Sequence, residues 1–309
     1  MKIKQSIFGS EPEYKLFKSL QNRWSHDFDL WPSLPFSCIV ELDQSEPSLN
    51  GKERNFFYNT NIDYTLCTKN GLPVLSIEFD GLGKGFSRNG EYIQVQASRD
   101  PYRKLKLDLK IKIAKKLSYP FYVISFEESK DLAPDLSLTI VDGIIGQVLA
   151  KKEFRESIKT LYDDNREMIE SLPHYEQRGY VQDLVWDAET MAELQNDGIA
   201  KLASQYQFEV FEKGIAKGYK TVYLNDPPLP DGDPFEDIRV LQKRLEASKN
   251  AVRVGCRIII NTSKIAIVET VWVRNFEDDF ISPLHIANNI AEMLAFKKAR
   301  DLMKMEIKK

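Results

Sequence analysis

Two carboxylates, Glu78 and Asp80, follow an apolar run in the segment LPVLSIEFDG. In an extended strand, residues two positions apart point to the same face, so the two side chains share one side of the strand. Removing a carboxylate from water at the end of a buried strand is costly unless a cation meets it. The segment therefore predicts that a positive charge lies beside Glu78 and Asp80.

The composition of the chain is that of a globular protein. The 309 residues are 42% hydrophobic and 29% charged, and this length predicts one large domain or two. The net charge of −3 argues against general binding of polyanions along the whole surface, but it leaves room for a local basic patch. Three widely spaced cysteines and the lack of CxxC or HxxxH spacings argue against a disulfide framework and against a structural zinc site. With neither a secretion signal nor a long apolar stretch in the sequence, we expect a cytoplasmic protein.

The first 130 residues contain signals for both helices and strands. Ser10 and Pro12 predict the start of a helix with an apolar stripe, and Asn70-Gly71 predicts a hairpin turn between two strands in the segment NFFYNTNIDYTLCTKNGLPVLSIEFDG. Residues 37–42 are expected to form a short strand, and FYVISFEE a buried one. The glycine-rich segment GLGKGFSRNG between them is expected to form a loop over the carboxylates.

The segment DPYRKLKLDLKIKIAKKL has two interpretations. Strict alternation of leucine and isoleucine with polar residues is typical of a strand, whereas the Asp-Pro start and the lysines at its end favour a helix. As a helix it would be sandwiched between layers, and one polar edge would carry Arg103, Lys106 and Lys110.

Residues 131–309 form a second region with a different pattern. Residues 137–220 are expected to be mostly helical, and the proline-rich, acidic segment NDPPLPDGDPFED to be an exposed loop. A two-strand hairpin turning at 261–263 is predicted next. Ser282 as a cap and Pro283 in the first turn predict a final helix.

Five segments of the first region, in order, resemble the restriction-endonuclease-like, or PD-(D/E)XK, nuclease superfamily. The branch they resemble contains the very-short-patch repair endonuclease and its uncharacterised relatives. The segments are PEYKLFKSL, NIDYTLCT, LSIEFDGLGK, DPYRKLKLDLKIKIAKKL and SYPFYVISFEE. The resemblance covers residues 10–128 and implies an α/β fold with an αβββαβ core, in which the ambiguous segment is a helix.

This resemblance also implies a chemistry. Asp63 and Glu78 are expected to hold Mg²⁺, or Mn²⁺ in its place, and Glu13 on the first helix to act as a further ligand or to orient water. Carboxylates suit this role because magnesium prefers hard oxygen ligands. A bound divalent ion polarises the phosphoryl oxygen and lowers the pKa of the attacking water.

The sequence departs from the superfamily at its lysine. The usual Glu-x-Lys element has lysine two residues after the glutamate, where this chain has Asp80. The related branch has a histidine at the position that falls on Lys84. Lys84, Lys106 and Lys110 are therefore three alternative donors that would stabilise charge.

The functional expectation is a metal-dependent phosphodiesterase, a DNA endonuclease of defence or repair. Its DNA-binding residues are expected on the basic segment, as Lys and Arg contacts to phosphate give salt-dependent affinity. They are Arg103, Lys104, Lys106 and Lys110. The second region is expected to serve substrate choice, homodimer formation or docking of a protein partner. The alternative is an inactive nuclease-like fold that binds nucleic acid or assists assembly, since the usual lysine is missing.

Overall fold

A computed structural model describes residues 8–42, 49–80, 100–126, 128–133, 135–223, 251–260, 266–274, 276 and 279–306. The chain divides into two compact units, one comprising Met1–Asp131 and Ser137–Thr139, the other Leu132–Leu136 and Ile140–Lys309. Lys84, the glycine-rich loop, the proline-rich acidic segment and the turn at 261–263 lie outside the described residues. Within the described part of the chain, every helix is too short or too polar to cross a bilayer.

The first unit is built on a four-stranded mixed sheet, which confirms the α/β class. Its strand order is β1-β2-β3-β4. The pairs β1–β2 and β2–β3 are antiparallel, and the pair β3–β4 is parallel. A parallel pair needs a crossover, and α3 provides it. The elements are α1 (Glu11–Trp24), β1 (Phe28–Pro35), α2 (Gly51–Tyr58), β2 (Asn61–Thr68), β3 (Pro73–Asp80), α3 (Arg103–Lys116) and β4 (Phe121–Ser125).

Local signals set several of these boundaries as predicted. The Ser10 side chain accepts a hydrogen bond from the backbone N–H of Glu13, 3.3 Å away, and so caps α1. The predicted turn between β2 and β3 is confirmed, and Gly71 adopts a φ of 80° there. Glycine tolerates this left-handed conformation without the steric penalty that a side chain brings.

Two predictions for the region before β2 are wrong. The first strand spans Phe28–Pro35, and residues 36–38 form a short 3-10 turn in place of the strand predicted at 37–42. Because β1 lies at the edge of the sheet, it tolerates its prolines, which had indicated a turn. The aromatic run at 55–58 belongs to α2, whose start is fixed by reciprocal hydrogen bonds between Asn50 and Glu53.

The helical interpretation of the alternating segment is confirmed by α3. Leu107, Leu109 and Ile113 are buried, the last two in a core cluster with residues of the 3-10 turn, α2 and β2. The predicted polar edge is wrong at one position, because Lys110 is also buried. It lies on the same helical face as Leu107 and Ala114, so its ammonium group points into the unit.

The second unit contains four successive helices, a three-stranded antiparallel sheet of order β5-β6-β7 and a final helix. The predicted pairing of the two late strands is confirmed as β6 with β7, and Ser282 caps the final helix as expected. The elements are α4 (Ile140–Asp164), α5 (Arg166–Ser171), α6 (His174–Asn196), α7 (Gly198–Glu212), β5 (Ala216–Tyr223), β6 (Ala251–Ile260), β7 (Ala266–Arg274) and α8 (Pro283–Glu306).

The prediction that residues 137–220 are mostly helical is wrong for the last residues of that range. Residues 216–220 belong to β5, which makes the expected hairpin a three-stranded sheet. Gly214, with a φ of 61°, follows the end of α7 and supplies the left-handed residue that commonly terminates helices. This glycine releases the chain into a strand.

Burial is uneven along the long helices of this unit. Residues 140–150 of α4 are all buried, and the α4 backbone at Gly146 approaches the start of α7 so closely that a Cβ there would lie 2.7 Å from the Cα of Asp197. By contrast, none of residues 151–191, all of which the structure describes, is buried. These residues form a helical hairpin that projects from the core.

Candidate functional site

The candidate site lies at the end of the two central strands of the four-stranded sheet, where β2 begins and β3 ends. Tyr64 on β2 is paired with Ile77 on β3, so the neighbouring Asp63 and Glu78 lie side by side. The link is reinforced by the backbone N–H of Phe79, which donates a hydrogen bond of 2.7 Å to Oδ2 of Asp63. The antiparallel pairing therefore brings together the two acids that the sequence separates by 15 positions.

Lys110 meets Glu78 directly. Its Nζ lies 2.8 Å and 2.7 Å from the two carboxylate oxygens of Glu78, and 2.6 Å from the backbone oxygen of Asn61. The Lys110 side chain is 3% exposed and that of Glu78 is 19% exposed. A lysine ammonium has three N–H donors, and these three acceptors satisfy them.

Arg103 meets the second carboxylate of β3. Its guanidinium donates a hydrogen bond of 2.8 Å to Oδ1 of Asp80, a residue that is 1% exposed. The other oxygen, Oδ2, is buried and has no hydrogen-bond partner among the described residues. The sequence predicts Mg²⁺ or Mn²⁺ as the cation beside these acids; the structure places two cationic side chains of α3 there, Lys110 and Arg103.

A pocket of about 300 Å³ opens between α3 and the ends of β2 and β3. Its charged lining consists of three acids and three bases in close alternation. These are Glu78, Asp80, Asp100, Arg103, Lys106 and Lys110. The charged lining is therefore neutral overall, with carboxylates that could hold a cation and basic groups that could contact an anion.

The carboxylates around Glu78 repel one another. Burial raises the pKa of Asp63 well above its usual range, and the charges of Glu78 and Glu13 raise it further, against the hydrogen bond from Phe79 and the charge of Lys110. Burial also raises the pKa of Glu13, with a smaller upward contribution from Glu78. The ionised forms of Asp63 and Glu13 are therefore disfavoured, and a further cation would stabilise them.

Glu13 is held toward this group by both of its ends. Oε2 accepts a hydrogen bond of 2.8 Å from the backbone N–H of Gly9, and the backbone oxygen accepts one of 2.7 Å from the hydroxyl of Tyr64. A Cβ at position 9 would lie 2.9 Å from Oε2, so glycine there permits the contact. The start of α1 is therefore fixed against β2 beside Asp63.

The other predicted basic residues occupy separate ion pairs. Lys106 donates to Asp100 at 2.8 Å and Lys104 to Asp108 at 2.7 Å, both partly or largely exposed. Of the three lysines left open by the sequence, Lys110 is the one seen to contact Glu78, and Lys84 lies outside the described residues. The sequence held one signal for this choice, because a lysine on the face that Leu107 and Ala114 bury requires an internal partner.

Asp63 and Glu78 are the residues that could hold a divalent metal ion. Among the described residues no group of three or more His, Cys, Asp and Glu side chains gathers closely enough to hold one. Magnesium, however, is commonly held by one or two carboxylates together with water and substrate phosphate. No family model, curated protein or solved structure matches this chain, so the functional proposal rests on the geometry of this site.

Proposed function

We propose that this protein is a metal-dependent nuclease, a DNA endonuclease whose first unit has the restriction-endonuclease-like αβββαβ core. The observation that carries the proposal is the meeting of Asp63, Glu78 and Lys110 at the end of the two central strands. Two acids on adjacent strands and a lysine are the groups that the resemblance implies. The lysine comes from the crossover helix, which accounts for Asp80 in the usual lysine position.

The metal part of the proposal rests on the donor set. Asp63 and Glu78 would hold the ion, because both offer hard oxygen ligands; burial, together with the charges of Glu78 and Glu13, raises the pKa of Asp63, and a cation would offset this. Asp80 adds a buried oxygen without a hydrogen-bond partner among the described residues. A bound Mg²⁺ or Mn²⁺ would supply Lewis acidity toward the phosphoryl oxygen and a more acidic water.

The chain's own cations would act on the phosphate. A phosphate oxygen that enters the pocket competes with Glu78 for the Lys110 ammonium, which then stabilises the negative charge that develops during hydrolysis. Arg103 is held by Asp80 at the pocket lining, where its guanidinium would contact a bound phosphate. Glu13, with its raised pKa, lies on the Asp63 side, where it would orient water.

A second candidate function is supported by the same ion pair. Lys110 already satisfies both oxygens of Glu78, so the pair is neutral without a metal ion. A protein of this kind would bind nucleic acid at the pocket without cleaving it. The two functions differ in whether hydrolysis depends on Glu78 and whether Mn²⁺ binds at Asp63.

Plasmid nicking with Mg²⁺ or Mn²⁺ tests the catalytic proposal. We expect Glu78→Gln, which keeps the shape but removes the charge, to lower the rate by about 100-fold or more. Asp108→Asn is the matched control, because this exposed acid on α3 pairs with Lys104 and does not line the pocket. Equal residual activity in wild type and Glu78→Gln would contradict the nuclease proposal.

Calorimetry with Mn²⁺ separates the second candidate. We expect wild type to bind the ion and Asp63→Asn to lose most of that affinity, with Asp108→Asn unchanged. If wild type binds DNA but neither takes up Mn²⁺ nor nicks plasmid, the non-catalytic binding function replaces the nuclease.

A further inference from the structure

A second concave surface in the first unit lies beside the candidate site. It is a groove of about 690 Å³ between α1 and the residues that follow β4. Its α1 wall extends from Glu11 to Arg23, a rise of about 18 Å for a helix. The other wall includes Phe126, Lys130 and Ser137.

Both walls of the groove begin next to residues of the candidate site. On α1, Glu13 lies two positions from Glu11 and from Lys15, which line the groove. On the other wall, Ser125 pairs with Asp80 across β3 and β4, and Phe126 is the next residue. Because helix residues two positions apart face different sides, Glu13 lies on another side of α1 than the groove-lining Glu11 and Lys15.

Phe126 offers an aromatic surface inside this groove. The residue is 42% exposed although it directly follows a buried strand. Lys130 places its Nζ 5.2 Å from the centre of the ring, a cation–π distance. An exposed ring with a cation beside it provides stacking for a base and charge for the adjoining phosphate.

Hydrogen bonds between the two walls fix the shape of the groove. The backbone oxygen of Ser137 accepts hydrogen bonds from Arg23 at 2.8 Å and from the Ser19 hydroxyl at 3.1 Å. The positively charged lining residues, Lys15, Arg23 and Lys130, outnumber the acids Glu11 and Asp131. The groove is thus preformed and slightly positive.

We propose that this groove binds an unpaired stretch of nucleic acid, with one base stacked on Phe126. The inference rests on the proposed nuclease function and specifies its substrate as a single strand or a duplex with an unpaired end. Duplex recognition generally places a protein element inside a DNA groove, whereas a recessed channel with an exposed aromatic ring fits separated bases.

Binding without cleavage tests the proposal. The full chain is titrated in EDTA into a fluorescein-labelled single-stranded oligonucleotide and, separately, into a blunt duplex of the same sequence. We expect Phe126→Ala to weaken single-strand binding by about 5- to 100-fold, since one stacked base contributes on that scale. Phe126→Trp should retain the affinity, and duplex affinity should not change in either variant.

Trp31→Ala is the matched control, because Trp31 is an exposed aromatic residue on β1 in the same unit. It should bind single strands as wild type does. Quenching of 2-aminopurine placed along the oligonucleotide should occur with wild type and Phe126→Trp and disappear with Phe126→Ala. Equal single-strand affinity of Phe126→Ala and Trp31→Ala, or no binding by wild type, would overturn the proposal.

These readouts separate the groove from the nuclease. Metal-dependent nicking that persists while Phe126→Ala binds single strands normally would remove the groove and keep the catalytic site. Loss of stacking in Phe126→Ala in a protein that shows no Glu78-dependent nicking would keep the groove and remove the nuclease.

Discussion

Two carboxylates, Asp197 in the second unit and Glu78 in the first, are largely removed from water and are stabilised in different ways. In the second unit, Asp197 is 1% exposed and caps α7 by accepting hydrogen bonds from the N–H groups of Ile199 and Ala200. In the first unit, Glu78 faces the ammonium of Lys110 and repels Asp63 and Glu13. Neutral donors from its own helix and from Asn289 satisfy Asp197, whereas Glu78 depends on a cation from another element.

This difference separates a structural acid from a candidate functional one. Burial raises the pKa of Asp197 to about 7, with only a minor contribution from the charge of Glu193. For Asp63, burial acts together with two neighbouring carboxylates. A perturbed acid is therefore informative about function when other charged groups converge on it from separate segments.

The largest expected effect on activity comes from removing the cation of the first unit. Lys110→Met leaves Glu78 buried and uncompensated, and we expect a loss of about 3 kcal/mol in the free energy of unfolding. Nicking should fall by about 100-fold or more. Urea denaturation and plasmid nicking measure the two effects. Adding Glu78→Gln should restore part of the stability but none of the activity, and full independence of the two substitutions would refute the pairing.

The next effect concerns the acid of the second unit and its pH dependence. Because the folded-state pKa of Asp197 is raised to about 7, its contribution to stability is fully present below about pH 4 and is lost as the pH rises toward 7. Asparagine keeps the cap but cannot ionise, so Asp197→Asn should gain about 4 kcal/mol over wild type at pH 8 relative to pH 4. Thermal unfolding across this range measures the gain, and parallel profiles would contradict it.

Packing around Asp197 gives a smaller effect. In Gly146→Ala the new Cβ would lie 2.7 Å from the Cα of Asp197, so α4 and α7 must separate, at a cost of about 1–3 kcal/mol. Gly179→Ala on α6 is the control, since no described atom lies within 4 Å of its Cβ position. It should stabilise the protein by about 0.5–1 kcal/mol. If urea titrations show that both substitutions destabilise the protein, α6 must be tightly packed at Gly179 as well.

The smallest effect is expected at the exposed ion pair of α3. Lys104 lies 2.7 Å from Asp108 and both side chains are about half exposed, so Lys104→Met should change the free energy of unfolding by less than about 0.5 kcal/mol. Its predicted role in DNA binding is tested by the salt dependence of affinity, whose slope should fall by about one. An unchanged slope would remove Lys104 from the DNA-binding set.

Local signals allowed part of this fold to be predicted from the sequence. The Ser10 cap, the Asn70-Gly71 turn and the Ser282 cap each act within a few residues, and the structure confirms all three elements. The errors arose where a local pattern had two meanings. Prolines that indicated a turn lie in the edge strand β1, and an aromatic run typical of strands lies in α2, whose capping pair of Asn50 and Glu53 was the decisive signal.

The site was only partly predictable for a different reason. Glu78 was identifiable because an acid at the end of an apolar strand is unusual, whereas Asp63 was identified through the family resemblance. The contact between Glu78 and Lys110 spans 32 positions and depends on the crossover that returns the chain to β4. Helical spacing places Lys110 on the face of Leu107 and Ala114, but it does not show which acid this lysine meets.

The projecting hairpin formed by residues 151–191 has a consequence for how the chain can vary. None of the residues of this hairpin is buried. Inserting one helical turn into both α4 and α6 within it would therefore lengthen the projection by about 5 Å without disturbing a core contact. The length of the hairpin can therefore change without changing the stability of the fold. Among descendants of this chain, the length of the hairpin should change in steps of whole turns while residues 140–150 keep their volume.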